Sequence, residues 1–296
     1  MPKFIKALFL TSIFVSALSI ILIILSYLII KPNLPEIKYV DESELQMPLK
    51  VLTKDGVLIG EFGEIKRRAK SFDEIPYHIK SAFLAAEDDN FFNHQGISYA
   101  GLIRSIIRCM RPSGCEGGGG TITMQVVRGY LLTPEQTIYR KIKEIFLALE
   151  LESNISKEEI FELYVNRVFL GNRSYGIEAA ANTYFNKSLE NLSIDESATI
   201  AAIAQLPSRI NPVKNPRRTL QRRNWILSRM LMLDYITDEE YKSAISNEIK
   251  IANNINLYEI EAKHLAELVR QEVINRYGLN AYKEGWSVYT LSLIHI

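Results

Sequence analysis

The chain has 296 residues, with 35 basic and 34 acidic side chains and a formal net charge of +1 at pH 7. This even balance gives no reason to expect nucleic-acid binding, and the length allows one large domain or two small ones with a buried core. The two cysteines, Cys109 and Cys115, exclude a dense disulfide framework, and neither has a His or Cys neighbour at the spacing of a zinc site.

The N-terminal stretch is apolar. Residues 7–30 contain no formal charge and have lysines on both sides. This length is enough to cross a bilayer, and no small-x-small cleavage site follows Ile30. We therefore predict an uncleaved signal-anchor transmembrane helix over residues 1–30, with the short N-terminal tail in the cytosol and everything after Ile30 outside.

A linker punctuated by prolines is predicted over residues 31–50. The segment Val51–Ile59 that follows is typical of a β-hairpin in which Asp55-Gly56 takes a left-handed turn. From Ser71 onward nearly every segment is predicted to be helical. Four helix starts carry a capping-box pattern: Thr133–Gln136, Ser156–Glu159, Ser193–Glu196 and Thr237–Glu240.

One predicted helix leads directly into two acidic residues, Glu87 and Asp88. It begins within residues 71–76, and a carboxylate at its C-terminal end lies near the negative end of the helix dipole. That position raises the pKa toward the range a general base needs, although an acidic pair at a helix end is more often a solvated surface feature. The apolar face of this helix has five members at helical spacing: Ile75, Ile79, Ala82, Phe83 and Ala86.

A glycine-rich loop follows over residues 110–120 and ends in four consecutive glycines. Such a run costs backbone entropy and can let main-chain N–H groups approach a phosphate at a helix start. The alternative is a mobile linker. It is not a Walker loop, because no Gly-Lys-Ser/Thr follows.

The helix predicted over Pro134–Leu151 carries charge on one face. Arg140 and Glu144 lie opposite its main apolar face, together with Leu147 and Leu151, so we expect the helix to be buried on both sides. The two charges are four residues apart and could form an ion pair. A structural ion pair and a buried charged face inside a cleft both fit. The main apolar face comprises Ile138, Ile142, Ile145, Phe146 and Leu149.

Five stretches occur in an order that resembles the peptidoglycan glycosyltransferase (family 51) domain of class A penicillin-binding proteins, most of all their 1a-type members. The resemblance runs from about Val51 to Thr290. One stretch alone would be weak support, whereas five in order behind a signal anchor are highly specific. They are Glu87–Gly96, Gly118–Gln125, Arg140–Glu144, Lys157–Asn166 and Ala198–Pro212.

The resemblance implies a mainly α, lysozyme-like glycosyltransferase domain over residues 51–250, preceded by one transmembrane helix and a short β-hairpin. A small jaw lobe that dips into the membrane would begin near Arg108 and run through Gly120. Residues 251–296 would start the linker toward a transpeptidase domain that this chain lacks. No Ser-x-x-Lys or Lys-Thr-Gly occurs in the sequence, so we do not expect penicillin to acylate it.

The resemblance also implies the chemistry. Lipid II and the growing glycan strand would be the substrates, with Glu87 as the general base on the acceptor's 4-hydroxyl. The donor's anomeric carbon would invert as undecaprenyl pyrophosphate leaves, and Glu144 would be the second catalytic glutamate. Two groups of residues would bind substrate: Arg128, Arg140 and Lys141 at the pyrophosphate, and Asp88, His94, Thr121, Gln125 and Asn166 elsewhere. No cofactor or metal site is required, and a divalent cation, Mg or Mn, at the pyrophosphate is left open.

The sequence departs from the family pattern at several positions, but the Glu87 and Arg140–Glu144 stretches are intact, so catalysis is still expected. The departures are Gly120 for Ser, Met124 for Gln, Arg128 for Lys, Gly129 for Asn, and Ile203-Ala204 for Leu-Pro.

We expect the protein in the inner membrane, with a single pass and its catalytic domain on the periplasmic side. Expected partners are the membrane and its substrates, with cell-wall synthesis proteins as open candidates and no nucleic acid. In that oxidising compartment Cys109 and Cys115 are candidates for a disulfide. Two alternatives are a lysozyme-like hydrolase and a non-catalytic, membrane-anchored scaffold for wall assembly.

Overall fold

The structure is a computed structural model, and its chain forms two compact units. Unit 1 comprises Met1–Val40 and Gln95–Ile155, and unit 2 comprises Asp41–His94 and Ser156–Ile296. The residues that the structure describes are 10–11, 13–14, 17–18, 21, 28, 30–34, 49–62, 69–101, 103, 120–132, 137–172, 174–252, 263–277 and 286–291.

Helices dominate the described residues, which confirms the predicted mainly α fold. The helices are α1 (Tyr77–Glu87), α2 (Ile122–Tyr130), α3 (Ile138–Asn154), α4 (Lys157–Arg167), α5 (Ile177–Phe185), α6 (Ile194–Gln205), α7 (Pro216–Met232), α8 (Asp238–Ser246) and α9 (Lys263–Tyr277). Short 3₁₀ turns lie at Lys31–Asn33, Phe72–Glu74, Phe91–Asn93 and Leu189–Asn191. The strands are β1 (Leu49–Leu52), β2 (Leu58–Phe62) and β3 (Ser287–Tyr289).

In unit 2, helix α6 is buried along most of its length and packs against α1 and α7. Three of its residues, Ala198, Ala201 and Ala202, are fully buried. Because their side chains are single methyl groups, neighbouring helices can approach closely and still fill space. This packing holds α1, and with it Glu87, against the arginine-rich helix α7.

The helix predicted to begin within residues 71–76 begins at Tyr77 instead. A 3₁₀ turn over Phe72–Glu74 comes first, and Ile75 between the two is extended, with φ −85° and ψ 122°. Pro76 explains the break, since the residue before a proline is pushed out of the helical region. Ile75 is still buried, as its place in the apolar pattern predicts, and the helix ends at Glu87 as expected.

A three-stranded sheet in unit 2 has the order β2-β1-β3. Strands β1 and β2 are antiparallel, with Lys50 opposite Glu61, and the turn between them contains Gly56 at φ +86°. Strand β3 pairs with β1 in parallel, with Val51 opposite Val288. Helix α9 packs on β1 and β2, so segments from both ends of unit 2 share one small core.

Three of the four predicted capping boxes are confirmed, at Ser156–Glu159, Ser193–Glu196 and Thr237–Glu240. The fourth, Thr133–Gln136, lies outside the described residues, and the prediction that the helix starts at Pro134 is wrong for α3. This helix begins at Ile138, where the Thr137 side chain accepts a hydrogen bond from the Arg140 N–H. Threonine followed by apolar and charged residues occurs at both 133 and 137, and the sequence pattern does not separate the two.

In unit 1, α2 packs against α3. The face of α3 that carries Glu144, Leu147 and Leu151 is fully buried, whereas Leu149 on the predicted main apolar face is 39% exposed. The prediction that both faces are buried is therefore wrong for Leu149. Periodicity counts apolar residues and cannot foresee that a buried ion cluster makes the charged face the inner one.

Most of the predicted signal anchor lies outside the described residues, and so does most of the predicted jaw, residues 108–119, with Cys109 and Cys115. In the described part of the chain, no helix is both long enough and apolar enough to cross a membrane. The residues described between 10 and 30 are helical and expose large apolar side chains at six positions: Leu10, Ile13, Phe14, Leu18, Ile21 and Leu28.

Candidate active site

Glu87 is the last residue of α1, and Asp88 caps the helix with an N–H that donates to the Leu84 carbonyl. The Glu87 side chain is half-buried, and its Oε1 atom is shielded from solvent. The fully buried Phe83 one turn earlier keeps this helix end pressed into the core of unit 2. A carboxylate held this way has a defined position and a partly desolvated oxygen.

Two side chains in unit 2 lie close enough to Glu87 to respond to its charge. Burial raises the pKa of the Tyr164 phenol well above its usual value, and the negative charge of Glu87 raises it further. Burial lowers the pKa of Arg222, whereas the Glu87 charge raises it. The Arg222 Nη2 donates to the carbonyl of Ala86 at 3.2 Å, so α7 contributes a cation directly beside the end of α1.

Asp88 and His94 form a buried pair in the turn that follows. His94 Nε2 lies 2.9 Å from Asp88 Oδ2, and the two side chains are 8% and 5% exposed. Lys157 Nζ lies 3.5 Å from His94 Nδ1 and 4.4 Å from the centre of the Phe91 ring. Because an ammonium group only donates, Nδ1 accepts and Nε2–H donates to the carboxylate. The predicted substrate-binding roles of Asp88 and His94 stay predictions, and the contacts found serve to hold the turn after Glu87.

Asn166 is engaged with the backbone of unit 2. Its Oδ1 accepts from the Lys70 N–H at 3.0 Å, and its Nδ2 donates to the carbonyls of Lys70 and Glu162, both at 2.9 Å. The amide thus ties residue 70 to α4 with two hydrogen bonds, and its remaining donor bonds the carbonyl one turn earlier in α4. Substrate binding by Asn166 was predicted and stays a prediction.

A second charged site lies in unit 1 and consists of Glu144, Arg128 and Lys141, here called the Glu144 cluster. The Glu144 side chain is fully buried, and its Oε1 accepts from Arg128 Nη2 and Lys141 Nζ, each at 3.0 Å. The two cations are 44% and 40% exposed. A buried carboxylate therefore anchors two half-exposed positive groups, which is an arrangement suited to binding an anionic ligand.

The ion pair predicted as an option between Arg140 and Glu144 is not formed. Instead, Glu144 accepts a hydrogen bond from Lys141, three residues earlier in α3, and a second one from Arg128 of α2. Arg140 Nε is buried and has no hydrogen-bond partner in the described part of the chain, and neither has Glu144 Oε2. Spacing along α3 alone cannot foresee the partner from another helix.

Thr121 links the start of α2 to Gly96, the last residue of the stretch Glu87–Gly96. Its hydroxyl donates to the Gly96 carbonyl at 2.6 Å and accepts from the Met124 N–H, which caps α2. Gly96 has φ +80°, and a Cβ there would lie 2.8 Å from the Ala148 carbonyl oxygen on α3. Only glycine fits this contact. Gln125 follows in the first turn of α2 and is half-buried.

Comparison with known proteins gives the family. Residues 55–231, more than half of the chain, match the family model described as Transglycosylase. The chain belongs to the transglycosylase family.

Individual relatives agree. The penicillin-binding protein 1A of Pseudomonas aeruginosa is 46% identical over 265 residues, which cover 90% of this chain and 32% of the relative. That of Escherichia coli is 39% identical over 89% of this chain and 31% of its own length. The crystal structure of penicillin-binding protein 1A from Haemophilus influenzae matches 84% of this chain and 28% of its own, with 33% identity and a TM-score of 0.55. The chain thus spans about a third of the length of these relatives.

Sequence reasoning on this transglycosylase missed three side chains beside the acidic residues. Tyr164 and Arg222 lie near Glu87, and Arg229 of α7 forms an ion pair with Asp89. The sequence shows a cluster of arginines in residues 214–223, but it does not show which of these arginines faces α1. The fully buried Arg223 instead bonds the backbone of residues 245 and 247.

Among the residues described, no group of three or more His, Cys, Asp or Glu side chains is placed to hold a metal ion. The divalent cation left open by the resemblance therefore stays a prediction, and the roles assigned below use none.

Proposed function

We propose that this chain is a peptidoglycan glycosyltransferase that polymerises lipid II into glycan strands, with inversion at the donor's anomeric carbon and release of undecaprenyl pyrophosphate. The family match over residues 55–231 carries the reaction class. Two acidic sites of different construction, at Glu87 and at Glu144, support the division of roles.

Glu87 is the proposed general base. Accepting the proton of the acceptor's 4-hydroxyl requires a carboxylate of fixed position with an oxygen that can be reached by substrate. The end of α1 supplies the position, and Arg222 supplies a neighbouring positive charge that favours the ionised carboxylate before the reaction. Tyr164 closes the buried side of the site.

The Glu144 cluster is the proposed pyrophosphate site. Breaking the bond to the leaving group develops negative charge on the pyrophosphate, and preorganised cations stabilise that charge. Arg128 and Lys141 are held on Glu144 while about two-fifths of each side chain stays exposed. Arg140 is the third proposed cation, since its Nε has donor capacity that no described residue uses.

We also propose that the protein is anchored in the inner membrane by residues 7–30, with residues 51–250 as the catalytic domain in the periplasm. Six exposed apolar side chains among the described residues of this stretch support membrane insertion, because water is an unfavourable surrounding for them. Retention of the full chain in membranes after an alkaline carbonate wash is expected. Release into the wash would contradict the anchor.

The test is a gel assay on the purified full chain with lipid II as substrate. We expect a ladder of glycan products and consumption of lipid II. A lysozyme-like hydrolase would instead release muropeptides from finished peptidoglycan and leave lipid II unchanged. A scaffold would do neither, and it would be indifferent to loss of the Glu87 carboxylate.

A further inference from the structure

Gly120 and Arg128 share one face of the region around α2. Gly120 immediately precedes the N-cap Thr121, and Arg128 lies in the last turn of the helix. Side chains on a helix tilt toward its N-terminus, so a long side chain at 128 runs back along the face that carries Met124. A Cβ added to Gly120 would lie 3.1 Å from Arg128 Nη2 and 3.9 Å from both Met124 Cβ and Glu144 Oε1.

The guanidinium therefore fills the space that a side chain at position 120 would need. Backbone conformation does not explain the glycine, because Gly120 is not among the residues with positive φ. A side chain there would be tolerated by the main chain and would meet the end of Arg128. Since Arg128 is half-exposed, its guanidinium has room to give way by the few tenths of an ångström that a Cβ requires, and this shift disturbs its hydrogen bond to Glu144.

The contact between position 120 and Arg128 matters because the Arg128 guanidinium is one of the proposed pyrophosphate-binding groups. One N–H of Arg128 donates to Glu144 Oε1 at 3.0 Å. A guanidinium has five N–H donors in a rigid planar fork, so further donors stay available for a planar or tetrahedral oxyanion. Anchoring on the buried carboxylate fixes the fork, and preorganisation of this kind raises affinity without a new contact.

We propose that Gly120 and Arg128 form a matched pair that sets the affinity of the Glu144 cluster for pyrophosphate. The bare position 120 leaves the guanidinium undisturbed on Glu144, and a side chain at 120 forces it to shift. Position 120 is thus a specificity-determining position that acts through Arg128. The identity of the ligand rests on the proposed function, since the pyrophosphate is that of the glycosyl donor.

A double-mutant cycle on the full chain tests the pair. The variants are Gly120→Ala, Arg128→Lys and their combination, with inorganic pyrophosphate as the probe in titration calorimetry. Gly120→Ala should weaken binding by about tenfold in the parent and by less than about twofold in the Arg128→Lys background, as coupled neighbours do. Lysine keeps the charge but lacks the Nη2 atom that crowds position 120.

Gly129→Ala is the matched control. It makes the same chemical change within α2, the helix that Gly120 precedes, and its Cβ would meet nothing within 4 Å. Its pyrophosphate affinity should equal the parent's. Gly120→Ser is a second variant at the tested position, and thermal melts of every variant separate lost binding from lost folding.

Equal losses from Gly120→Ala in both backgrounds would overturn the pair, and so would a loss of the same size in Gly129→Ala. Undetectable binding of pyrophosphate by the parent would also overturn it. Lipid II polymerisation, measured in parallel, keeps the two proposals apart. If the parent polymerises lipid II but the two substitutions have additive effects on pyrophosphate affinity, only the proposed Gly120–Arg128 pair is contradicted. If their effects are coupled but the parent does not polymerise lipid II, only the proposed function is contradicted.

Discussion

The two glutamates at the centre of the proposed chemistry are built into the molecule in different ways. Glu144 is fully buried in unit 1 and has two cationic side chains on one oxygen. Glu87 is half-buried at a helix end in unit 2, beside a buried tyrosine and an arginine whose guanidinium bonds the main chain at Ala86. The Glu144 carboxylate holds two cationic side chains in place, whereas the Glu87 carboxylate is itself held in place by its surroundings.

This difference separates structural from chemical use of the same residue type. A carboxylate that anchors two cations contributes through its charge and its place, so an analogue of the same shape disturbs the cations. A carboxylate that accepts a proton contributes through its basicity, so the same analogue removes the reaction and leaves the surroundings intact. Matched Glu→Gln substitutions at both positions test that distinction.

The largest effect is expected for Glu87→Gln. The amide has nearly the same shape but cannot accept the proton, and loss of a general base costs about 10²–10⁴ in rate. Polymerisation of lipid II should nearly vanish, while pyrophosphate affinity stays at the parent value. Asp89→Asn is the control, because Asp89 is a nearby carboxylate that forms an ion pair with Arg229. A near-parental rate for Glu87→Gln would show that the base was assigned to the wrong residue.

Glu144→Gln should reduce the rate by about 10- to 100-fold, the usual cost of misplaced groups. The amide keeps one oxygen for the Arg128 and Lys141 donors but carries no charge, so both hydrogen bonds weaken and the cations are held less firmly. Binding of the donor need not weaken, because the site becomes more positive. We expect the loss in kcat rather than in KM from steady-state kinetics.

Glu152→Gln provides the comparison on the same helix. Glu152 Oε1 accepts the Thr123 hydroxyl at 2.5 Å, and an amide oxygen can accept it as well. Its rate should match the parent's. If Glu144→Gln also polymerised lipid II at the parent's rate, the proposed role of Glu144 would be contradicted.

These contacts show what sequence can and cannot predict here. The end of α1 at Glu87, the burial of Ile79, Ala82 and Phe83, and three helix caps depend on neighbours within a few residues, and the sequence predicts them. The partner of Glu144 was not, because Arg128 approaches from another helix 16 residues away. Arg222 was also missed, since it meets the carbonyl of Ala86 across 136 residues. Contacts between distant segments depend on packing that local patterns do not encode.

Arg222→Ala should lower the rate by about five- to tenfold, the size of one lost hydrogen bond of about 1–1.5 kcal/mol. It should also change the pH profile. The Glu87 charge raises the pKa of Arg222, so by reciprocity the arginine lowers the pKa of Glu87. Without it that pKa rises, and the acidic limb of kcat/KM moves to higher pH. Arg229→Ala, on the same helix, is the control, and the acidic limb of its kcat/KM profile should lie much closer to the parent's. If that limb did not move in Arg222→Ala, the proposed role of Arg222 beside Glu87 would be refuted.

The smallest effect is expected at the cap of α4, the helix that carries Tyr164 toward Glu87. Ser156→Ala removes the hydroxyl that accepts from the Glu159 N–H, at a cost of about 1 kcal/mol in the free energy of unfolding. Hydrogen bonds from the Ser156 N–H and then its hydroxyl lower the pKa of Glu159, so this stabilisation is present above the unfolded-state pKa and is lost as pH falls through the lowered one. Urea denaturation should therefore show a smaller difference from the parent at acidic pH than at pH 7. Ser193→Ala, at the matching cap of α6, should also cost about 1 kcal/mol in the free energy of unfolding, and pyrophosphate affinity should change in neither variant. A drop in that affinity would mean that the Glu144 cluster depends on the support of Glu87, and the contrast between the two regions would not hold.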